Sequence, residues 1–100
     1  MEDRMIDQCF ALGNKERIRI LNQLRERPQS VTELLKAANL TQSTLSHHLR
    51  ILRKAGLVNG IRDGRHVYYA IRKDGLQELR KVIQEYDDTF PLSSMMHRIN

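Results

Sequence analysis

The sequence predicts a mainly α-helical domain with five helices and one short β-hairpin. Apolar residues recur at helical spacing through most of the chain, and Ser30 and Thr41 stand where helices would begin. Asp63-Gly64 separates two short strand-like runs. Because 100 residues are enough for one domain and not for two, we assign residues 1–100 to a single domain.

Two helices are predicted at the start of the chain, over about 3–12 and about 15–25. Gly13 lies between them, because glycine commonly follows the last residue of a helix. In each helix the apolar residues share one stripe. The stripe of the first helix holds Met5, Cys9 and Leu12. In the second helix, Ile18, Leu21 and Leu24 are expected to face inward.

The third helix begins at a capping-box pattern. Ser30 can cap the helix through its hydroxyl, and Glu33 can reach back to the backbone of Ser30. A short turn, residues 39–41, follows the helix. The apolar residues of this helix have the spacing i, i+3, i+4, i+7 and are Val31, Leu34, Leu35 and Ala38.

The fourth helix is predicted from its N-cap, Thr41, to about Ala55, where Gly56 stops it. Leu45, Leu49 and Leu52 are expected to face inward. The third and fourth helices with their short turn form a helix-turn-helix over about 31–56. In such a motif the second helix normally enters the major groove of DNA.

A hairpin, or wing, is predicted over about 57–71, with strands at about 57–61 and 66–71. Asp63-Gly64 is expected to form a type I′ turn between them. With the preceding helices, this hairpin makes the predicted fold a winged helix-turn-helix.

The last helix is predicted over about 74–88 and ends before Phe90-Pro91. Its apolar residues form an a/d seam of the kind that packs against another helix. Here the partner can be a second subunit, so helices 3–12 and 74–88 are the predicted dimerisation helices. The seam consists of Leu76, Leu79, Ile83 and Tyr86.

The net charge of +5 is concentrated in one third of the chain. Residues 41–73 hold seven basic side chains and one acidic side chain, whereas the rest has ten basic and eleven acidic side chains. A basic segment in an otherwise nearly neutral protein predicts a polyanionic partner such as nucleic acid. The alternative is a charged face that only contacts solvent.

Membrane and secreted classes are not supported. There is no apolar run of about 18 residues, and the acidic N-terminus precedes no apolar segment, so no span or secretory signal is predicted. Cys9 is the only cysteine, which excludes an intrachain disulfide. These features predict a protein of the reducing cytoplasm.

The polar face of the fourth helix is the candidate binding surface. It carries hydroxyls, an imidazole and two cations, and no acid occurs between Asn39 and Asn59. Such groups can donate to phosphates or read base edges. An ordinary surface helix is the alternative, but such helices usually mix charge signs. The face consists of Ser43, Ser46, His47, Arg50 and Lys54.

The tip of the wing resembles that face chemically, since arginines flank Asp63-Gly64. They suit a minor groove or nearby phosphates. Alternatively, they only keep an edge hairpin soluble. The residues predicted to contact double-stranded DNA are Gln42, Ser43, Thr44, Ser46, His47, Arg50, Lys54, Arg62, Arg65 and His66.

Several segments resemble the ArsR/SmtB family of repressors. Residues 11–21 are similar to its entry segment, residues 40–49 and 52–58 to its recognition helix, and residues 62–69 to its wing. The recognition-helix segment, Leu-Thr-Gln-Ser-Thr-Leu-Ser-His-His-Leu, is the most specific of these. The resemblance implies a homodimer built from the first and last helices. It also implies repression at an inverted repeat that an inducer relieves.

Metals are frequent inducers in that family, but the matching positions carry no metal-binding set here. Ser30 and Thr32 replace the cysteines of one site, and the positions of the second site fall on Lys73, Gly75, Tyr86 and Thr89. His47 and His48 point about 100° apart on a helix and chelate poorly. No metal or cofactor is predicted. The remaining candidate is a tail site from Asp87, Asp88, Met95, Met96 and His97.

Cys9 has two interpretations. Most cysteines on an apolar stripe are small core residues. If the first helix lies at the dimer axis, however, Cys9 can meet its symmetry mate and become a redox-sensitive site.

An enzyme is not predicted, because the chain has no Gly-rich phosphate loop and no His-Glu-x-x-His motif. Two functions remain. One is a sequence-specific DNA-binding regulator. The other is a winged-helix module for protein association, in which the apolar last helix docks a partner and the basic face is incidental.

Overall fold

The structure is a computed structural model and describes residues 2–89. Over this range five helices and three strands confirm the predicted winged helix-turn-helix fold. No helix in the range is long and apolar enough to cross a membrane. The predicted helix end at Phe90-Pro91 and the tail residues Met95, Met96 and His97 lie outside the described residues. The elements are α1 (Glu2–Leu12), α2 (Lys15–Leu24), β1 (Gln29–Ser30), α3 (Val31–Ala37), α4 (Gln42–Lys54), β2 (Val58–Asp63), β3 (His66–Ile71) and α5 (Gln77–Thr89).

The three strands form one antiparallel sheet in the order β1-β3-β2. β2 and β3 are the predicted wing and pair from Val58↔Ile71 to Asp63↔His66. The two-residue strand β1 was not predicted; it pairs with β3 through Gln29↔Tyr69 and Ser30↔Tyr68. This pairing fastens the start of α3 to the wing.

The turn at the wing tip differs from the prediction. Because Asp63 pairs with His66, the loop consists of Gly64 and Arg65. A type I′ turn needs positive φ at both positions, but only Gly64 has one, 63°. The predicted type I′ turn is therefore wrong. Glycine at the first loop position is the pattern of a type II′ turn.

The core lies between α1, α2, α3, α4 and the base of the wing. In α2 the inward prediction was wrong for Ile18, which is 39% exposed, whereas Ile20 is 1% exposed. The inward face of α2 runs through Arg17, Ile20 and Leu24, at helical spacings of three and four. The buried core residues are Ala11, Ile20, Leu24, Leu34, Leu45, Leu49, Leu52, Ala55, Leu57 and Val58.

Gly56 ends α4 as predicted. Its φ is 77°, a value that glycine adopts without strain, and the amide of Leu57 donates to the carbonyl of Leu52 at 3.0 Å. The amide of Gly56 also donates to the carbonyl of Arg53 at 3.0 Å. This pair of bonds is a Schellman motif, which directs the chain from α4 into β2.

The last helix begins later than predicted, at Gln77 rather than Asp74. Residues 73–76 form turns instead, in which the amide of Gly75 donates to the carbonyl of Arg72 at 3.0 Å. Leu76 therefore precedes the helix to which the a/d seam assigned it. The turn is held by close packing of Gly75 against Gly56.

Candidate nucleic-acid interface

The two faces of α4 are fully segregated. Leu45, Leu49 and Leu52 are buried as predicted, together with His48. The opposite face is polar and exposed, and its continuation at the wing tip is exposed as well. All ten residues of the predicted DNA-contact set are exposed: Gln42, Ser43, Thr44, Ser46, His47, Arg50, Lys54, Arg62, Arg65 and His66.

The N-terminus of α4 has the predicted cap. Thr41 accepts a hydrogen bond at its hydroxyl from the amide of Thr44, at 3.2 Å. The hydroxyl of Thr41 also donates to that of Thr44, at 2.8 Å. No acidic residue lies in the first turn of this helix, so its partial positive charge is not neutralised by its own side chains.

The helix that supports α4 is fixed by the capping box predicted at Ser30. The amide of Glu33 donates to the Ser30 hydroxyl, and the Glu33 carboxylate accepts from the amide of Ser30, each at 3.1 Å. Arg27 donates to the same carboxylate at 2.7 Å. The hydrogen bond from Arg27 and that from Ser30 hold the pKa of Glu33 below its ordinary value. The beginning of α3 is therefore well defined.

A buried arginine, which the sequence patterns did not single out, connects α1, α2 and α4. Arg17 is 5% exposed and donates to the carbonyls of Ala11 at 2.8 Å and Phe10 at 3.1 Å. Its third polar contact is with Nδ1 of His48, at 3.3 Å. The guanidinium also lies 5.1 Å from the centre of the Phe10 ring.

This contact separates the roles of the two adjacent histidines in α4. Because a guanidinium only donates hydrogen bonds, Nδ1 of His48 accepts, and the neutral ring carries its proton on Nε2. Burial lowers the pKa of His48, and the charges of Arg17 and His47 lower it further, against a smaller opposing effect of Glu16. His48 is thus a neutral core residue, and His47 is the histidine exposed on the candidate interface.

The basic side chains of the wing tip are not covered by any other part of residues 2–89. Arg62, Arg65 and His66 are exposed on the strand ends and the turn. The rings of His66 and Tyr68 meet edge to face, with their centres 6.3 Å apart. Asp63, next to Arg62 in sequence, is also exposed and is the acidic side chain at this tip.

A second surface, formed by α1 and α5, is apolar instead. Its exposed side chains include Ile6, 64% exposed, and Ile83 and Tyr86, 50% and 71% exposed. Cys9 lies here and is exposed, so of its two interpretations the one as a small core residue is wrong. Its stripe faces a groove between α1 and α5 rather than α2 and α4.

Side chains that could bind a metal do not cluster among the described residues. Across residues 2–89, no group of three or more His, Cys, Asp or Glu side chains could hold a metal ion. The tail candidate depends on residues beyond this range.

The arrangement defines a winged helix-turn-helix protein. The second helix of its motif, α4, has an exposed polar face and contains no acidic residue. The chain matches the family described as "Bacterial regulatory protein, arsR family" over residues 14–60. It belongs to the ArsR/SmtB family, as its recognition-helix segment predicted. The members of this family are bacterial regulatory proteins, the class that the sequence predicted.

Curated relatives and solved structures agree with this assignment. The chain is 48% identical over 61 residues to the transcriptional regulator NmtR of Mycobacterium tuberculosis, a match that covers 61% of this chain and 51% of NmtR. It is 46% identical over 61 residues to the transcriptional repressor SmtB of the same species, covering 61% and 45%. The chain thus spans about half the length of these relatives.

One solved structure bears on assembly. The homodimeric winged helix-turn-helix DNA-binding domain of Mb0332 from Mycobacterium bovis is 29% identical to this chain, with a TM-score of 0.71. The match covers 86% of this chain and 80% of that domain.

A further relative, HlyU of Vibrio cholerae, is named a transcriptional activator and is 41% identical over 61 residues, which cover 61% of this chain and 56% of HlyU.

Proposed function

We propose that this chain binds double-stranded DNA sequence-specifically as a homodimer, at an inverted repeat, and represses transcription there until a signal releases it. The observation that carries the proposal is the exposed face of α4, which has hydroxyl, imidazole and cationic groups and no carboxylate. DNA offers that face phosphates and base edges, both of which such groups bind.

Two groups of side chains have different roles in this proposal. Gln42, Ser43, Ser46 and His47, near the start of α4, read bases or adjacent phosphates. Cations farther along α4 and at the wing tip neutralise phosphates and therefore bind all sequences about equally. The second group consists of Arg50, Lys54, Arg62 and Arg65.

The homodimer follows from the apolar surface of α1 and α5. Side chains such as Ile6 and Tyr86 are mostly exposed in a single chain, and a symmetric partner would cover them. The homodimeric state of the Mb0332 domain supports this assembly. Two copies related by a twofold axis can place their α4 helices in successive major grooves. Because a regulator of transcription has to reach the DNA that it binds, we propose the cytoplasm as the location of the protein.

Fluorescence anisotropy tests the proposal with reduced, metal-free protein. The DNA is the duplex that the protein itself selects from a random pool, and an unselected duplex is the control. We expect tight, selective binding that weakens steeply with salt, by a slope of about −0.9 per neutralised phosphate. His47→Ala should reduce the preference for the selected sequence. Arg65→Ala should weaken both duplexes alike and lower the salt slope by about one.

Lys81→Ala is the matched control, because it removes an exposed positive charge on α5, outside the proposed interface. Its affinity should equal that of the unchanged protein. Weak binding to both duplexes with a flat salt response would instead favour the protein-association module. Identical effects of the two interface variants would disprove the division between reading and neutralising side chains. Transcription from a reporter carrying the selected sequence then separates repression from activation.

A further inference from the structure

A buried glutamine joins three segments that lie far apart in sequence. Gln8 of α1 is 1% exposed. Its amide nitrogen donates to the carbonyl of Ala55, the C-cap residue of α4, at 3.1 Å. It also donates to the carbonyl of Gly75, in the turn before α5, at 2.6 Å. One side chain therefore links α1, α4 and the approach to α5.

The backbone around this glutamine is packed without spare room. A Cβ atom on Gly75 would lie 2.4 Å from the carbonyl oxygen of Gly56, closer than real contacts allow. Next to it, the amide of Arg72 donates to the carbonyl of Leu57 at 2.9 Å. We name Gln8, Ala55, Gly56 and Gly75 the junction. Movement of α5 relative to the end of α4 has to break or deform it.

The amide oxygen of Gln8 shows that this glutamine is not the most stable choice for its buried position. Among the described residues, that oxygen is buried and has no hydrogen-bond partner. A buried acceptor without a partner destabilises the fold, and an apolar side chain of similar size would avoid that loss. The contribution of Gln8 is therefore in its two donated bonds, which fix geometry rather than add stability.

We propose that Gln8 is a positioning residue for DNA recognition. It holds the C-terminal end of α4 at a fixed place on the α1–α5 surface, and thereby sets the distance between the two α4 helices of a dimer. That distance selects the spacing of half-sites that the dimer accepts. This inference rests on the proposed function, since it takes α4 as the reading helix and α1–α5 as the dimer surface.

The test uses the full chain and duplexes built from the sequence that the unchanged protein selects. One duplex carries a single half-site, and a series carries two half-sites with the spacing varied by one base pair at a time. Gln8→Met removes both donated bonds at similar size. Gly75→Ala deforms the junction at the turn before α5. An effect that both variants share cannot come from a folding defect of Gln8→Met alone. Gln23→Met, the same substitution at an exposed site on α2, is the control.

We expect the two junction variants to stay folded and dimeric and to bind the single half-site within about twofold of the unchanged protein. On the best-spaced double site they should lose about tenfold or more in affinity, because the second α4 helix no longer meets its half-site in register. Their preference among spacings should flatten, an effect that a general loss of stability would not produce.

Equal losses on single and double half-sites, or an unchanged spacing preference, would overturn the positioning role. Those outcomes leave the proposed function intact, because the unchanged protein still binds its selected DNA. If the unchanged protein does not bind any duplex selectively, the proposed function itself fails.

Discussion

The outer surface of α4 and the surface of α1 and α5 differ in how complete they are within one chain. Beneath α4, Leu45 and Leu52 are fully buried, and the outer side is polar. On the other surface Ile6 is 64% exposed and Tyr86 is 71% exposed. Apolar side chains therefore remain in water on one surface and not on the other.

The difference indicates which properties depend on a partner. The shape of α4 is set by its cap, its buried leucines and its Schellman motif, all of which one chain supplies. The α1–α5 surface is a contiguous apolar patch of the kind that marks an interface. Local recognition by α4 should therefore survive loss of the dimer, whereas recognition of two half-sites should not.

The largest effect is expected from a cavity beneath the complete surface. Leu52→Ala removes a side chain with 0% exposure from the core under α4. We expect the free energy of unfolding to fall by about 2–5 kcal/mol, which combines lost burial with an unfilled cavity. Urea unfolding followed by circular dichroism measures it. Ile61→Ala, at a site 48% exposed on the wing, should cost far less; equal losses would contradict the comparison.

An intermediate effect is expected on the incomplete surface. Ile83→Glu places a carboxylate on a side chain that is 50% exposed in the single chain. The fold should lose less than about 0.5 kcal/mol, as at ordinary surface sites. The dimer dissociation constant should rise by about tenfold or more, since association would bury an unpaired charge. Sedimentation velocity measures the amounts of monomer and dimer, from which the dissociation constant follows.

Lys81→Glu is the control for that variant, because Lys81 lies two residues before Ile83, on the opposite side of α5. It should leave the dimer intact. A dimer that tolerates glutamate at Ile83 would show that this surface serves some other contact.

The parts of the structure that the sequence predicted well are those with local signals. Caps at Ser30 and Thr41 act over three residues, and the stop at Gly56 follows from one backbone conformation. The stripe of Leu45, Leu49 and Leu52 repeats with the period of the helix itself. These signals defined the helix-turn-helix and, with it, the exposure of the candidate interface.

The parts that the sequence did not predict depend on residues distant along the chain. In the sequence, Arg17 cannot be distinguished from a surface charge. Its burial depends on contacts with His48 and the end of α1, which only the fold brings close to it. Gln8 bonds with residues 47 and 67 positions away. The delayed start of α5 has the same cause, since the turn at Gly75 is shaped by its contact with Gly56.

The smallest effect, that of a single proton, concerns the contact between Arg17 and His48, which is buried between α2 and α4. The native pKa of His48 is below its unfolded value of about 6.5, because the ring is buried and faces a guanidinium. Above that pH the ring is neutral in both states, and the contact contributes fully. As pH falls below it, the unfolded chain takes up a proton that the native chain does not, so stability declines.

His48→Asn isolates this contribution, because the asparagine carbonyl can accept from Arg17 near the place of Nδ1 but does not titrate. The difference in unfolding free energy between the two proteins, measured in urea from pH 8 to pH 5, cancels the other titrating groups. It should be constant at the alkaline end and shift toward the variant as the medium becomes acidic. Parallel curves would mean that His48 titrates alike in both states. A steeper decline in the unchanged protein than in the variant would instead identify this contact as an acid-sensitive link between α4 and the end of α1.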